Sequence, residues 1–141
     1  MVQAARISIT GTQSMDDSGP QTLELVTDGS YCYEPGFALL SYVESEMTGL
    51  EGVVTSFRIE DGQTVTLRRT GKVNAEMVFD RRQAHESLYD VGFGAMMISV
   101  VTEDMTVLLN EHGGVLDLDY RVEVEHALCS RNRYHIEIQT I

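Results

Sequence analysis

The sequence predicts an all-β fold: one antiparallel up-and-down β-barrel of about eight to ten strands spanning residues 1–141. Three observations predict it. Nearly every segment alternates apolar and polar residues with a period of two, almost none sustains a helical period, and short turn signals rich in Gly, Asp and Asn separate the segments. Strands joined in this way form a meander, and a meander of this length closes on itself to remove its edges. A two-sheet sandwich is the alternative, since pattern alone does not show whether the first and last strands meet.

Arg6 to Thr10 alternates, and the turn residues Asp16-Asp17-Ser18-Gly19-Pro20 break the chain after it. Thr22 to Thr27 reads as a strand, Asp28-Gly29 as a hairpin and Tyr31 to Tyr33 as the next strand, which Pro35-Gly36 interrupts before it resumes at Phe37 and runs to Met47. Val53 to Glu60 and Thr64 to Arg69 flank Asp61-Gly62, the most persuasive hairpin signal in the chain. Asn74 to Phe79 follows. Asp80 to Gly94 lacks alternation and is charged, so it reads as a long loop or short helical cap. Strands resume at Ala95 to Thr102 and Met105 to Asn110, joined through Glu103-Asp104. Val115 to Leu128 and Tyr134 to Thr140 complete the set, with Ser130-Arg131-Asn132-Arg133 as the turn between them.

The composition excludes several classes. With 22 Asp and Glu against 10 Lys and Arg, the formal net charge is -12, which repels phosphate backbones and anionic lipid and argues against nucleic-acid or membrane partners. There is no apolar leader or run of spanning length, so the expected location is the cytoplasm. A core of this size needs no staple, and Cys32 and Cys129 read as small buried hydrophobes in a reducing compartment. His85, His112, His126 and His135 are scattered without ligand spacing, so no metal or other cofactor is expected.

Alternation also assigns faces. It puts Leu116, Leu118, Tyr120, Val122 and Val124 inside, with Val53, Thr55, Phe57 and Ile59, then Val65 and Leu67, then Ala75, Met77 and Phe79, and finally Tyr134, Ile136 and Ile138. On the predicted strand ending at Met47, Tyr42, Glu44 and Glu46 share a face. Arg69 continues the face of Val65 and Leu67; pointing inward, it would need Glu44, Glu46 or a ligand anion to offset its desolvation. The favoured reading is that the strand ends or bulges first and releases Arg69 to solvent.

Ser41-Tyr42-Val43-Glu44-Ser45-Glu46-Met47-Thr48-Gly49-Leu50-Glu51-Gly52, Gly71-Lys72-Val73-Asn74-Ala75-Glu76-Met77-Val78-Phe79, Leu88-Tyr89-Asp90 with Gly94, and Gly113-Gly114-Val115-Leu116 through Tyr120 to Ser130-Arg131-Asn132 are similar to the YwiB-like family of small bacterial proteins. The resemblance covers essentially the whole chain. It implies a calycin-type, lipocalin-like barrel and supplies no catalytic residues. Val91-Gly92 departs from the Thr-Pro that relatives carry, which implies a looser loop there.

The nucleophile-elbow, phosphate-loop and dinucleotide motifs are all missing from the chain. The leading functional expectation is a small, apolar or amphipathic ligand held in the lumen. Tyr42, Phe57, Met77, Phe79, Met96, Met97 and Tyr120 would line it; Glu44, Glu46 and Arg69 would anchor it, with Thr55 and Tyr89 completing the candidate set. The same side chains would equally fill a closed core. An enzyme using Glu44 and Glu46, or His85 and Tyr89, at the mouth is one alternative. An interaction module built on a strand edge or on the turn carrying Arg131 and Arg133 is another, and a homodimer through an edge or the rim has no residue-level signature.

Overall fold

The computed structural model describes residues 2–15, 19–90, 94–125 and 127–141, apart from the side chains of residues 89 and 90. It contains ten strands: β1 (Val2–Ser14), β2 (Gln21–Glu34), β3 (Phe37–Val43), β4 (Val54–Glu60), β5 (Thr64–Thr70), β6 (Asn74–Asp80), β7 (His85–Asp90), β8 (Ala95–Asn110), β9 (Gly113–Val124) and β10 (Ala127–Thr140). Each pairs antiparallel with its neighbours in sequence. β1 also pairs with β10 from Ala5↔Thr140 to Ser14↔Arg131, which closes the sheet into a barrel. The sandwich alternative is thereby excluded.

The β4–β5 hairpin forms where Asp61-Gly62 predicts it. Both residues have positive φ, 54° and 64°, and the Gln63 N–H donates to the Glu60 carbonyl. Elsewhere the strands are longer than the sequence suggests. Asp28-Gly29 is no hairpin but lies inside β2, because a Cβ on Gly29 would meet the Ser41 carbonyl oxygen and stand 2.8 Å from Ile7 Cδ1. Glu103-Asp104 is no break either. The chain carries straight through as β8, with a register shift between Thr102 and Asp104 that lets Thr102 and Met105 both be buried.

The turn expected at Ser130–Arg133 is also corrected. Glu125, with φ 53°, marks the end of β9, and Ser130 to Arg133 pair with Val122 to Asp119 inside the β9–β10 ladder. The loop or cap expected over Asp80 to Gly94 contains β7 instead. Its pattern escapes notice because it is inverted, with Ser87 buried and Leu88 exposed. Asp16-Asp17-Ser18, Val91-Gly92 and His126 lie outside the described residues.

Inward side chains fill one part of the lumen. Leu40, Phe57, Val65, Leu67, Phe79, Leu116, Leu118 and Ile136 are almost wholly buried in one apolar cluster. Phe79 meets Tyr120 edge-on at 4.6 Å, Phe57 meets Tyr134 at 6.1 Å, and Tyr120 stacks on Tyr134 at 6.2 Å. These rings form a floor across the barrel.

Candidate functional site

Above that floor the lumen is open. A cavity of about 790 Å³ lies between the mouth of β1–β2 and the facing strands β5, β6, β8, β9 and β10. Met77, Met96, Ile98 and Val122 give it apolar walls, Tyr120 and Tyr134 stand on its floor side, and Arg69, Asn132 and Ser130 supply polar groups. The volume falls in the range typical of small-molecule sites.

The polar end is built by four strands. Arg69 holds the register of β5, opposite Thr55 on β4 and Ala75 on β6, and so points inward with its side chain only 12% exposed. This corrects the favoured reading that it is released to solvent. Its Nη2 donates to the Tyr134 hydroxyl at 3.2 Å, and its Nε stands 4.0 Å from Glu44 Oε2. Glu44 is buried, and its carboxylate accepts hydrogen bonds from Thr55 Oγ1 at 2.5 Å and Thr48 Oγ1 at 3.1 Å. Burial pushes the Tyr42 hydroxyl up, and the neighbouring Glu44, which is also its hydrogen-bond partner, adds to the shift. Burial works against the Arg69 charge, but Tyr134 and then Glu44 outweigh it and leave the guanidinium raised.

Glu46 does not join this group. β3 ends at Val43, and although the Glu44 N–H still donates to the Val53 carbonyl, the Ser45 side chain accepts from the Met47 N–H and caps a short 3-10 turn over Glu46–Thr48. The alternation therefore stops after Glu44, and Glu46 is exposed. Glu44 and Glu46 thus share no face, which removes the carboxylate pair on which the first enzyme alternative rests.

Among the other candidates, Arg69, Met77 and Tyr120 line the cavity, while Tyr42, Thr55, Phe57 and Phe79 are buried in the walls and floor around it. Met96 lies at the rim and is half-exposed, whereas Met97 faces outward. The backbone of Tyr89 pairs with Ala75 and Met96; its side chain lies outside the described residues. His85 sits apart from the cavity lining, 3.6 Å from Asp80. The cysteines are free as expected, but neither is fully buried: Cys32 is intermediate and Cys129 is exposed at the cavity edge. No group of three or more His, Cys, Asp or Glu placed to hold a metal ion occurs among the described residues.

Tyr134, Ser130 and Asn132 are among the cavity residues that the sequence pattern does not mark as site residues. Tyr134 reads as core, and Ser130 and Asn132 as a turn. The signal is present, since stepping back by two from Ile136 and Tyr134 reaches Asn132 and Ser130 on the same inward face.

Residues 7–136 match the family described as Domain of unknown function (DUF1934). The chain belongs to this family. A search of solved structures finds similarity to the crystal structure of the ywiB protein from Bacillus subtilis, with a TM-score of 0.85, 21% sequence identity, and coverage of 99% of this chain and 93% of that one. At that identity the likeness concerns the fold, and it agrees with the YwiB-like, calycin-type barrel that the motifs imply. No curated protein matches the chain. Family membership assigns the cavity no ligand.

Proposed function

We propose that this member of the family binds a small ligand in the upper lumen of its barrel and does no chemistry on it. The observation that carries this reading is the cavity of about 790 Å³ with apolar walls and a small set of inward polar groups at one end. The placement of Glu44 supports the absence of catalysis. Both carboxylate oxygens are engaged by threonine hydroxyls, and the residue lies behind Arg69 rather than on the cavity surface. Outward-facing charges such as Arg58, Glu60, Arg68 and Glu76 and the net charge of -12 support work in an aqueous compartment, the cytoplasm, away from phosphate backbones and anionic bilayers. No helix among the described residues is long and apolar enough to cross a membrane.

Native mass spectrometry of freshly purified protein tests the reading. The expected result is a one-to-one adduct that organic extraction removes and that Met77→Trp, which narrows the cavity, weakens without unfolding the barrel. An adduct equally present in the narrowed variant would place the ligand elsewhere.

A further inference from the structure

Charge is distributed unevenly in this molecule. The chain carries 22 acidic residues, yet no Asp or Glu lines the cavity among the described residues, and the charged side chain that points into it is Arg69, since Arg133 lies between the inward Asn132 and Tyr134 and is exposed. Arg69 is also under-used as a donor. Among the described residues its guanidinium makes one hydrogen bond, from Nη2 to Tyr134, and its buried Nε has no acceptor at all. Glu44 does not fill that need. It stands at 4.0 Å from Nε with its oxygens already engaged by Thr48 and Thr55, so it steadies the guanidinium electrostatically without bonding it.

An unpaired buried donor is costly, and a planar guanidinium fork is best satisfied by two oxygens in one plane. We propose that the cavity takes an amphiphile with one carboxylate, its head against Arg69 and Tyr134 and its apolar body along Met77, Met96 and Ile98. With Arg69 as the inward cation and Glu44 beside it, the site holds too little positive charge for a doubly charged phosphate. The methionines suit a flexible apolar body because their unbranched side chains repack around it. This inference rests on the lumen reading above and adds the ligand's chemical class.

Calorimetric titration of the intact protein with decanoate, decanol, decyl phosphate and decyltrimethylammonium tests it. Decanoate is expected to bind about tenfold more tightly than decanol, with the cation weakest, because only the carboxylate satisfies the open fork. Arg69→Gln is expected to bring decanoate down to the affinity of decanol while leaving decanol within about twofold of the parent. Should that variant fail to fold, the selectivity of the unmodified protein decides alone. Decanol binding as tightly as decanoate would overturn the carboxylate and leave the lumen reading standing. Decyl phosphate binding more tightly than decanoate would overturn the monoanion in favour of a phosphate head. No binding by any probe would sink both.

Discussion

Asp80, at the end of β6, carries the clearest electrostatic signature outside the cavity. Its side chain is 4% exposed, yet Arg82 reaches back two residues to hold both oxygens, Nε to Oδ1 at 2.9 Å and Nη2 to Oδ2 at 3.0 Å. Arg82 thereby draws the Asp80 pKa down from an ordinary 3.8 to about 2, with a smaller contribution from His85, against the opposing pull of burial. A carboxylate whose folded pKa is depressed contributes stability that is complete above its unfolded pKa and is lost as pH falls through the folded one. The window therefore runs from 3.8 down to about 2. Asp80→Asn is expected to be less stable at neutral pH and to show a flatter decline over that window, read from urea midpoints at successive pH values. A variant that loses stability on acidification as steeply as the parent would show that other carboxylates govern the acid limb. The same residue-level logic bears on Arg69: burial works against its charge, and Tyr134 and then Glu44 outweigh that and leave the guanidinium raised.

At the scale of elements, β2 depends on a residue that looks like a turn. Gly29 lies opposite Ala5 in the β1–β2 ladder, where a side chain would collide with the Ser41 carbonyl and come within 3.0 Å of Tyr42 Cβ. Gly29→Ala is expected to destabilise the protein by about 2 kcal/mol in urea unfolding, since packed backbone cannot make room. If the residue sat at a hairpin tip, as its Asp-Gly context suggests, the change would be near neutral. This element shows where the sequence is legible and where it is not. β4, β5 and β6 match their predicted bounds to within one residue because apolar alternation and turn residues agree at both ends. The sequence pattern breaks β2, β8 and β10 wherever an inward or bulged position is not apolar: Gly29, Glu103-Asp104, and Ser130 with Asn132. It does not reveal β7, whose buried residue is a serine. The site follows the same rule. Met77, Tyr120 and the inward course of Arg69 lie on clean alternating strands, whereas Glu46 sits in a capping turn whose Ser45-Glu46 pair continues the strand pattern in sequence.

For the whole molecule, the ring of ladders is uneven. β1 and β10 are joined over ten residue pairs, from Ala5↔Thr140 to Ser14↔Arg131, while β6 and β7 are joined only at Asn74↔Asp90 and Ala75↔Tyr89. Local opening begins where few backbone bonds hold. Hydrogen exchange is expected to be at least about tenfold faster for the amides of β7 that face β6 than for those in the β1–β10 ladder. Uniform protection around the ring would show that closure, rather than local pairing, sets the opening energy. The floor of Phe57, Phe79, Tyr120 and Tyr134 has a different consequence, for the substitutions such a barrel can bear. Below it, each side chain is locked among neighbours on every side, so substitutions there are filtered by folding. Above it, Met77, Met96 and Ile98 have open space on one side, so drift at those positions alters what fits without unmaking the protein. One sheet thus sets two tolerances to substitution, strict below the floor and permissive above it.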